Sequence, residues 1–313
     1  MEQGLIKQPK CRSYLYMALY EYLGCLFFLV GINCSQNDAS VAALGLFIAA
    51  TLTGRLSGGH FNMAVTLAVY VVEGKWKQNF RVALAIVFID ILGAFSAMVV
   101  SIGLLGTENT FTLVPPKEFA NKSFQYLLYL GLVEAFFTMI LVSTVLFVKY
   151  RQVSATTDGM LSNLTVAIAV FVCVRMAGPL SGAGLNPTIA IAIITTDSAS
   201  YSIDNSSSNN GHIIFLFSYI IGPLVGGLAA AGLLRLSQKI TIEGEEDDDV
   251  SYIETAGRDR NQTIQEDGGL AFDEERNARG LTIQLDATSG DKKNSLIRKR
   301  TGLERKKAHD YMA

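Results

Sequence analysis

The amino-acid sequence predicts an all-α membrane protein with six transmembrane helices and two re-entrant half-helices, arranged as an inverted internal repeat. Three observations predict it. Six apolar stretches are long enough to cross a bilayer, two short Asn-led segments lie among them, and residues of the first half recur at matching places in the second. Composition agrees, with 50% hydrophobic and only 17% charged residues among 313, a formal charge of −2 and a mean hydropathy of +0.32. Charge is concentrated from about Lys239 to Ala313, so a membrane domain is followed by a polar tail.

The first span runs from Tyr14 to Asn33. Its internal Glu21 argues for a retained helix and against a cleaved signal segment. The second, Asp38 to Leu56, leads into Ser57-Gly-Gly-His-Phe-Asn62-Met63-Ala64, and Arg81 to Leu104 forms the third. Phe124 to Val148 is the fourth span and carries Glu134 as Glu21 is carried in the first. The fifth, Leu161 to Ala177, leads into Ser181-Gly-Ala-Gly-Leu-Asn186-Pro187-Thr188, and His212 to Leu234 closes the set. Ile91-Leu92-Gly93-Ala94 in the third span is matched by Ile220-Ile221-Gly222-Pro223 in the sixth. Three spans per repeat is an odd number, so the second half is inverted relative to the first. The channel domain is therefore drawn as 14–238, with repeats at about 14–110 and 124–238, between an N-terminal segment 1–13 and a tail 239–313.

Each Asn-led segment is too short to span alone, since about ten helical residues rise roughly 15 Å against a hydrocarbon core of about 30 Å. Two of them entering from opposite faces would meet near the midplane and complete one crossing. Irregular backbone at that depth is tolerated where it lines a polar cavity or is buried in protein, which points to a water-filled pathway. The side-chain oxygen of an N-cap Asn accepts from its own helix and leaves the amide NH₂ free to donate, so Asn62 and Asn186 are the candidate donors to a passing water or hydroxyl. Pro187 suits a first helical position, and helix N-termini at the midplane oppose cations and protons.

Basic residues in short loops give the orientation. Lys7, Lys10 and Arg12, then Lys75, Lys77 and Arg81, then Lys149 and Arg151, then Arg235 and Lys239 all fall on one side, against Lys117 and Lys122 on the other, so both termini are expected in the cytoplasm. Sequons at Asn33, Asn121 and Asn205 fall on the opposite side, while those at Asn163 and Asn261 would be inaccessible.

The two Asn boxes, Glu21 and Glu134, Asp90-x-x-Gly93-Ala94 and Tyr219-x-x-Gly222-Pro223-x-x-Gly226-Gly227 together resemble the aquaporin and aquaglyceroporin (major intrinsic protein) superfamily over roughly Tyr14 to Leu236. The resemblance implies a right-handed bundle of six tilted helices, one pore per subunit, and a homotetramer in the lipid bilayer. It also implies that Glu21 and Glu134 accept hydrogen bonds from the loops that feed the half-helices. The chain departs from that pattern at several points. Met63 stands where Pro is usual, which loosens the first turn and brings a larger side chain that narrows the pore; Thr188 replaces Ala. Ile189 occupies the place of the Arg that follows the second box, and the other filter positions by spacing are Ala183, Val174 and either Leu44 or Ala42. That constriction is apolar, with Arg175, beside Val174, the candidate replacement for the missing guanidinium. Asp90 stands where Gln is commoner, and protonation or pairing with another helix would relieve it. His60, two residues before Asn62, is expected to line the cytoplasmic vestibule, where its titration offers a route to pH gating.

Solute markers divide. Ala190 fits neither typical subtype, Tyr219 looks water-type and Ile220 resembles the type that takes bulkier solutes. The expected function is passive passage of water, with small neutral solutes such as glycerol, urea or ammonia. The alternative is a closed or vestigial tetramer with a membrane-organising or adhesive role, and a weakly ion-conducting pore stands third. His60, His212 and His309 lack metal-ligand spacing, and Cys11, Cys25, Cys34 and Cys173 form no paired motif, so neither enzyme chemistry, a metal, a cofactor nor a nucleic-acid partner is indicated. The tail, acidic from Glu243 to Asp249 and basic at Arg298-Lys-Arg300 and Arg305-Lys-Lys307, is expected to be disordered. Its basic clusters are candidates for lipid or trafficking contacts, with Ser295 and Thr301 as candidate phosphorylation sites. Plasma membrane and an intracellular vacuolar membrane both remain open as locations.

Overall fold

In the computed structural model, which describes residues 11–36, 38–115, 124–203 and 212–266, eight α-helices follow one another with no strand among the described residues. They are α1 (Cys11–Cys34), α2 (Ala39–Ser57), α3 (Met63–Glu73), α4 (Trp76–Leu105), α5 (Phe124–Lys149), α6 (Gly159–Ser181), α7 (Pro187–Ile203) and α8 (Leu216–Glu266). Six helices are long and apolar enough to cross a membrane: α1, α2, α4, α5, α6 and the part of α8 up to Thr241. The short helices α3 and α7 occupy the same place in each half, after the second and the sixth helix.

The two halves are built alike down to their turns. Both α2 and α6 end on a left-handed glycine, Gly58 (φ 114°) and Gly182 (φ 88°), whose N–H bonds back to the carbonyl of Gly54 or Gly178 at 2.9 Å. Such a residue reverses the chain without a Cβ clash, and each turn sends the backbone back toward the middle of the protein. Packing then crosses between halves, because α3 lies against α5 and α4 lies against α7. Close helix contacts rest on glycines at α4 and α8. A Cβ at Gly93 would stand 2.7 Å from the Tyr22 carbonyl on α1, and one at Gly226 would stand 2.3 Å from the Ala135 carbonyl on α5.

The polar tail differs in part from its expectation. Disorder was expected from residue 239, yet α8 continues to Glu266. Between 240 and 266 the chain has no Pro and only two glycines, Gly244 and Gly257, so nothing local stops a helix once α8 has nucleated it. Residues 240–313 form a unit apart from 1–239. The basic clusters, Ser295 and Thr301 lie outside the described residues. The same holds for the sequons at Asn121 and Asn205. Asn33 is described, and it is buried, with its amide donating to the Leu29 carbonyl at 3.1 Å and its oxygen accepting from the Phe111 N–H at 2.9 Å, so it is no acceptor for a glycan.

Candidate pore between paired asparagine boxes

Two buried carboxylates hold the loops that deliver the asparagines. Glu21, fully buried on α1, accepts from the N–H of Gly59 (3.3 Å), His60 (2.6 Å) and Phe61 (2.9 Å). Glu134, equally buried on α5, accepts from the Ser181 hydroxyl (2.6 Å) and from the N–H of Gly184 (3.0 Å) and Leu185 (2.6 Å). These bonds hold Phe61 (φ 47°) and Leu185 (φ 48°) in a left-handed conformation that non-glycine residues rarely adopt. Their carbonyls consequently point toward the opposite half of the repeat. The Asn62 amide donates to the Leu185 carbonyl (3.0 Å) and the Asn186 amide to the Phe61 carbonyl (2.8 Å).

Each asparagine also caps its own half-helix. The Asn62 oxygen accepts from the Ala64 N–H at 2.8 Å and the Asn186 oxygen from the Thr188 N–H at 3.0 Å. With the oxygen used and one amide hydrogen engaged, one N–H of each side chain is left over. Both asparagines line a cavity of about 430 Å³. This cavity runs along α6 past Asn163, Val166, Val170, Val174 and Gly178, a separation of fifteen residues that corresponds to about 22 Å of helix.

The apolar ring expected from spacing is resolved in one respect. Ala42 (8% exposed) lines the cavity, as do Val174, Ala183 and Ile189, whereas Leu44 is 54% exposed and absent from the lining. Of the two positions that spacing left open, Ala42 is therefore the inward one and Leu44 faces outward. None of these four side chains offers a donor. Arg175 is exposed and borders the same cavity, as does Asp38. Hydrogen bonds from the Ser40 hydroxyl and N–H hold the Asp38 carboxyl below the usual carboxylate range, with Arg175 adding to that effect.

Met63 is a second correction. It does not border the cavity and so does not narrow it, and its N–H donates to the Thr188 hydroxyl at 3.0 Å, tying together the first turns of α3 and α7. His60 borders the cavity, 4% exposed, with Nδ1 3.0 Å from the Thr66 hydroxyl and Nε2 without a hydrogen-bond partner among the described residues. Asp90 is fully buried in α4 away from the cavity, and neither carboxyl oxygen has a hydrogen-bond partner among the described residues. No cluster of metal-ligating side chains occurs among the described residues. One lining residue was read in the sequence only as a loop charge: Lys149, the last residue of α5, whose Nζ donates to the carbonyls of Gly58 (2.9 Å) and Gly59 (3.3 Å).

Six spans, two half-helices meeting N-terminus to N-terminus, and a cavity bordered by both caps define a membrane protein of the channel-forming class with an inverted repeat. The family model described as Major intrinsic protein matches residues 18–234, and the chain belongs to that family. It is 33% identical to Aquaporin-8 of Mus musculus over 236 residues, covering 73% of this chain and 81% of that protein. It is 26% identical to Aquaporin NIP1-1 of Zea mays over 257 residues, covering 76% and 81%. Among solved structures it resembles the aquaglyceroporin from Plasmodium falciparum, with a TM-score of 0.59 at 18% identity over 70% of this chain and 94% of that one. That last likeness concerns the fold.

Proposed function

We propose that the protein is a passive channel for water that also admits small neutral solutes, and that it is not an enzyme. One observation carries this reading. The spare amide hydrogens of Asn62 and Asn186 are fixed donors on a cavity that Ala42, Val174, Ala183 and Ile189 also line, with side chains that offer no donor. A neutral, hydrogen-bonding solute finds acceptor-seeking donors at the midplane and no charge that binds it tightly, so it passes instead of staying. The names of the relatives, aquaporins and an aquaglyceroporin, supply water and glycerol as the solutes to try.

The small side chains of Ala42 and Ala183 favour the wider set of solutes, including glycerol, urea and ammonia. Arg175, with Asp38 beside it, takes the part of the absent filter arginine at one mouth of the cavity. The protein works as a homotetramer in the plasma membrane or a vacuolar membrane, with both termini in the cytoplasm, a reading supported by the placement of Lys75, Lys77, Arg81, Arg151 and Arg235.

Stopped-flow light scattering on proteoliposomes tests this. An impermeant osmolyte should cause shrinkage well above the lipid rate, and a glycerol gradient should be followed by re-swelling. Shrinkage without re-swelling restricts the channel to water. Shrinkage at the lipid rate would refute passage and leave the closed, membrane-organising tetramer.

A further inference from the structure

Lys149 is a cation inside the pathway, and its geometry is independent of the asparagine boxes. On α5, Leu141, Val145 and Lys149 stand four residues apart and all three border the cavity, so the lysine belongs to the stripe that faces the pore. It ends the helix, where the dipole favours a cation. Two of its three hydrogens go to the Gly58 and Gly59 carbonyls. The same loop turns its next N–H groups, those of Gly59, His60 and Phe61, the other way, onto Glu21. Glu21 does not border the cavity.

Formal charges along the lining are few. Among its described residues they are Asp38, Lys149 and Arg175, with His60 the one further titratable group. Asp38 and Arg175 oppose each other electrostatically at one mouth. Lys149 stands at the other, beside the loop that leads into Asn62, with no lining carboxylate to offset it.

We propose that Lys149 determines charge selectivity: anchored on the Gly58 and Gly59 carbonyls, it places a fixed positive charge in the pathway that turns back cations which the apolar ring around Ile189 does not. The proposal rests on the reading of this cavity as a conducting pathway. Its competitor is that Lys149 merely balances the buried charge of Glu21, in which case the ions that pass would not depend on it.

A unit charge within a few ångströms of a passing cation, at an effective dielectric constant of about 20 to 80, changes its rate by roughly tenfold or more. The experiment is therefore a ratio, potassium efflux to osmotic water flux, in proteoliposomes of the full chain. Lys149→Met should raise that ratio about tenfold or more. Lys149→Arg, which keeps the charge, should hold the wild-type ratio. An unchanged ratio in a Lys149→Met protein that passes water overturns the proposal in favour of the Glu21 counter-charge, and an equal change in both variants overturns it in favour of shape. Should Lys149→Met fail to fold, Lys149→Gln is read in the same way, since its amide keeps a donor for the loop. If neither wild type nor variant passes water, the pathway itself is refuted and the proposal goes with it.

Discussion

At the scale of single residues, two departures from the family pattern explain one another. Proline at position 63 would bring no N–H, and alanine at 188 would bring no hydroxyl; this chain has Met63 and Thr188, and the Met63 N–H donates to the Thr188 oxygen at 3.0 Å. Thr188 is fully buried, so removing its hydroxyl strands a donor where water does not readily replace it. Thr188→Ala should therefore cost about 1–3 kcal/mol, and Met63→Pro added to it should recover part of that loss because proline fits a first helical position. Unfolding of the single and double variants in detergent micelles measures the coupling, expected at about 1 kcal/mol in favour of the wild-type pair; additive losses would show the bond to be incidental. The same scale sets what was legible in the sequence. Asn62, Asn186, Glu21 and Glu134 could be read because each occurs twice at matching places, and repetition is visible in one chain. Ala42 against Leu44 could not be decided, because the choice depends on the length of a loop whose path only the fold supplies. Lys149 escaped because a lysine at the end of an apolar stretch looks like an ordinary boundary charge until its stripe-mates Leu141 and Val145 are seen facing the cavity.

At the scale of helices, apolar length made the spans legible and their ends less so. The third span starts at Trp76 and not near Arg81, since the intervening Lys77, Gln78 and Asn79 extend the helix without adding apolar character. The half-helix α7 runs 17 residues against 11 for α3, because no glycine or proline stops it after Pro187. What spacing could not show is how tightly helices approach. Gly226 sits so close to α5 that a Cβ would meet the Ala135 carbonyl at 2.3 Å and the Met139 nitrogen at 2.9 Å, both backbone atoms that cannot rotate away. Six residues on, Gly232 has nothing within 4 Å of a Cβ. Gly226→Ala should cost about 1–3 kcal/mol by forcing α8 from α5, while Gly232→Ala should be neutral or stabilise by up to about 1 kcal/mol through helix propensity. Thermal unfolding of the two purified variants separates these outcomes, and equal stability would mean that α8 has room to shift.

For the whole molecule, the question is where the channel ends. The family match stops at residue 234, but the contacts do not. Arg235 donates to the Val71 carbonyl at 2.6 Å, near the end of the half-helix α3, and the Gln238 amide donates to the Gln152 side chain at 2.8 Å, just beyond α5. These two bonds join the last turns of the sixth span to both halves of the repeat. Cutting the chain before Arg235 would free the Val71 carbonyl and loosen the support of α3, and with it Asn62. Cutting after Lys239 removes only the unit 240–313 and leaves every contact named for the cavity in place. A protein ending at Lys239 should therefore keep its water permeability per molecule to within about twofold, equivalent to less than about 0.5 kcal/mol in the barrier to passage. One ending at Leu234 should lose most of it. Both are read by stopped-flow light scattering after matching the amount of protein per vesicle. A large loss in the Lys239 truncation would show that the helical stretch beyond it takes part in holding the pore open, and would move the boundary of the functional unit into the polar segment.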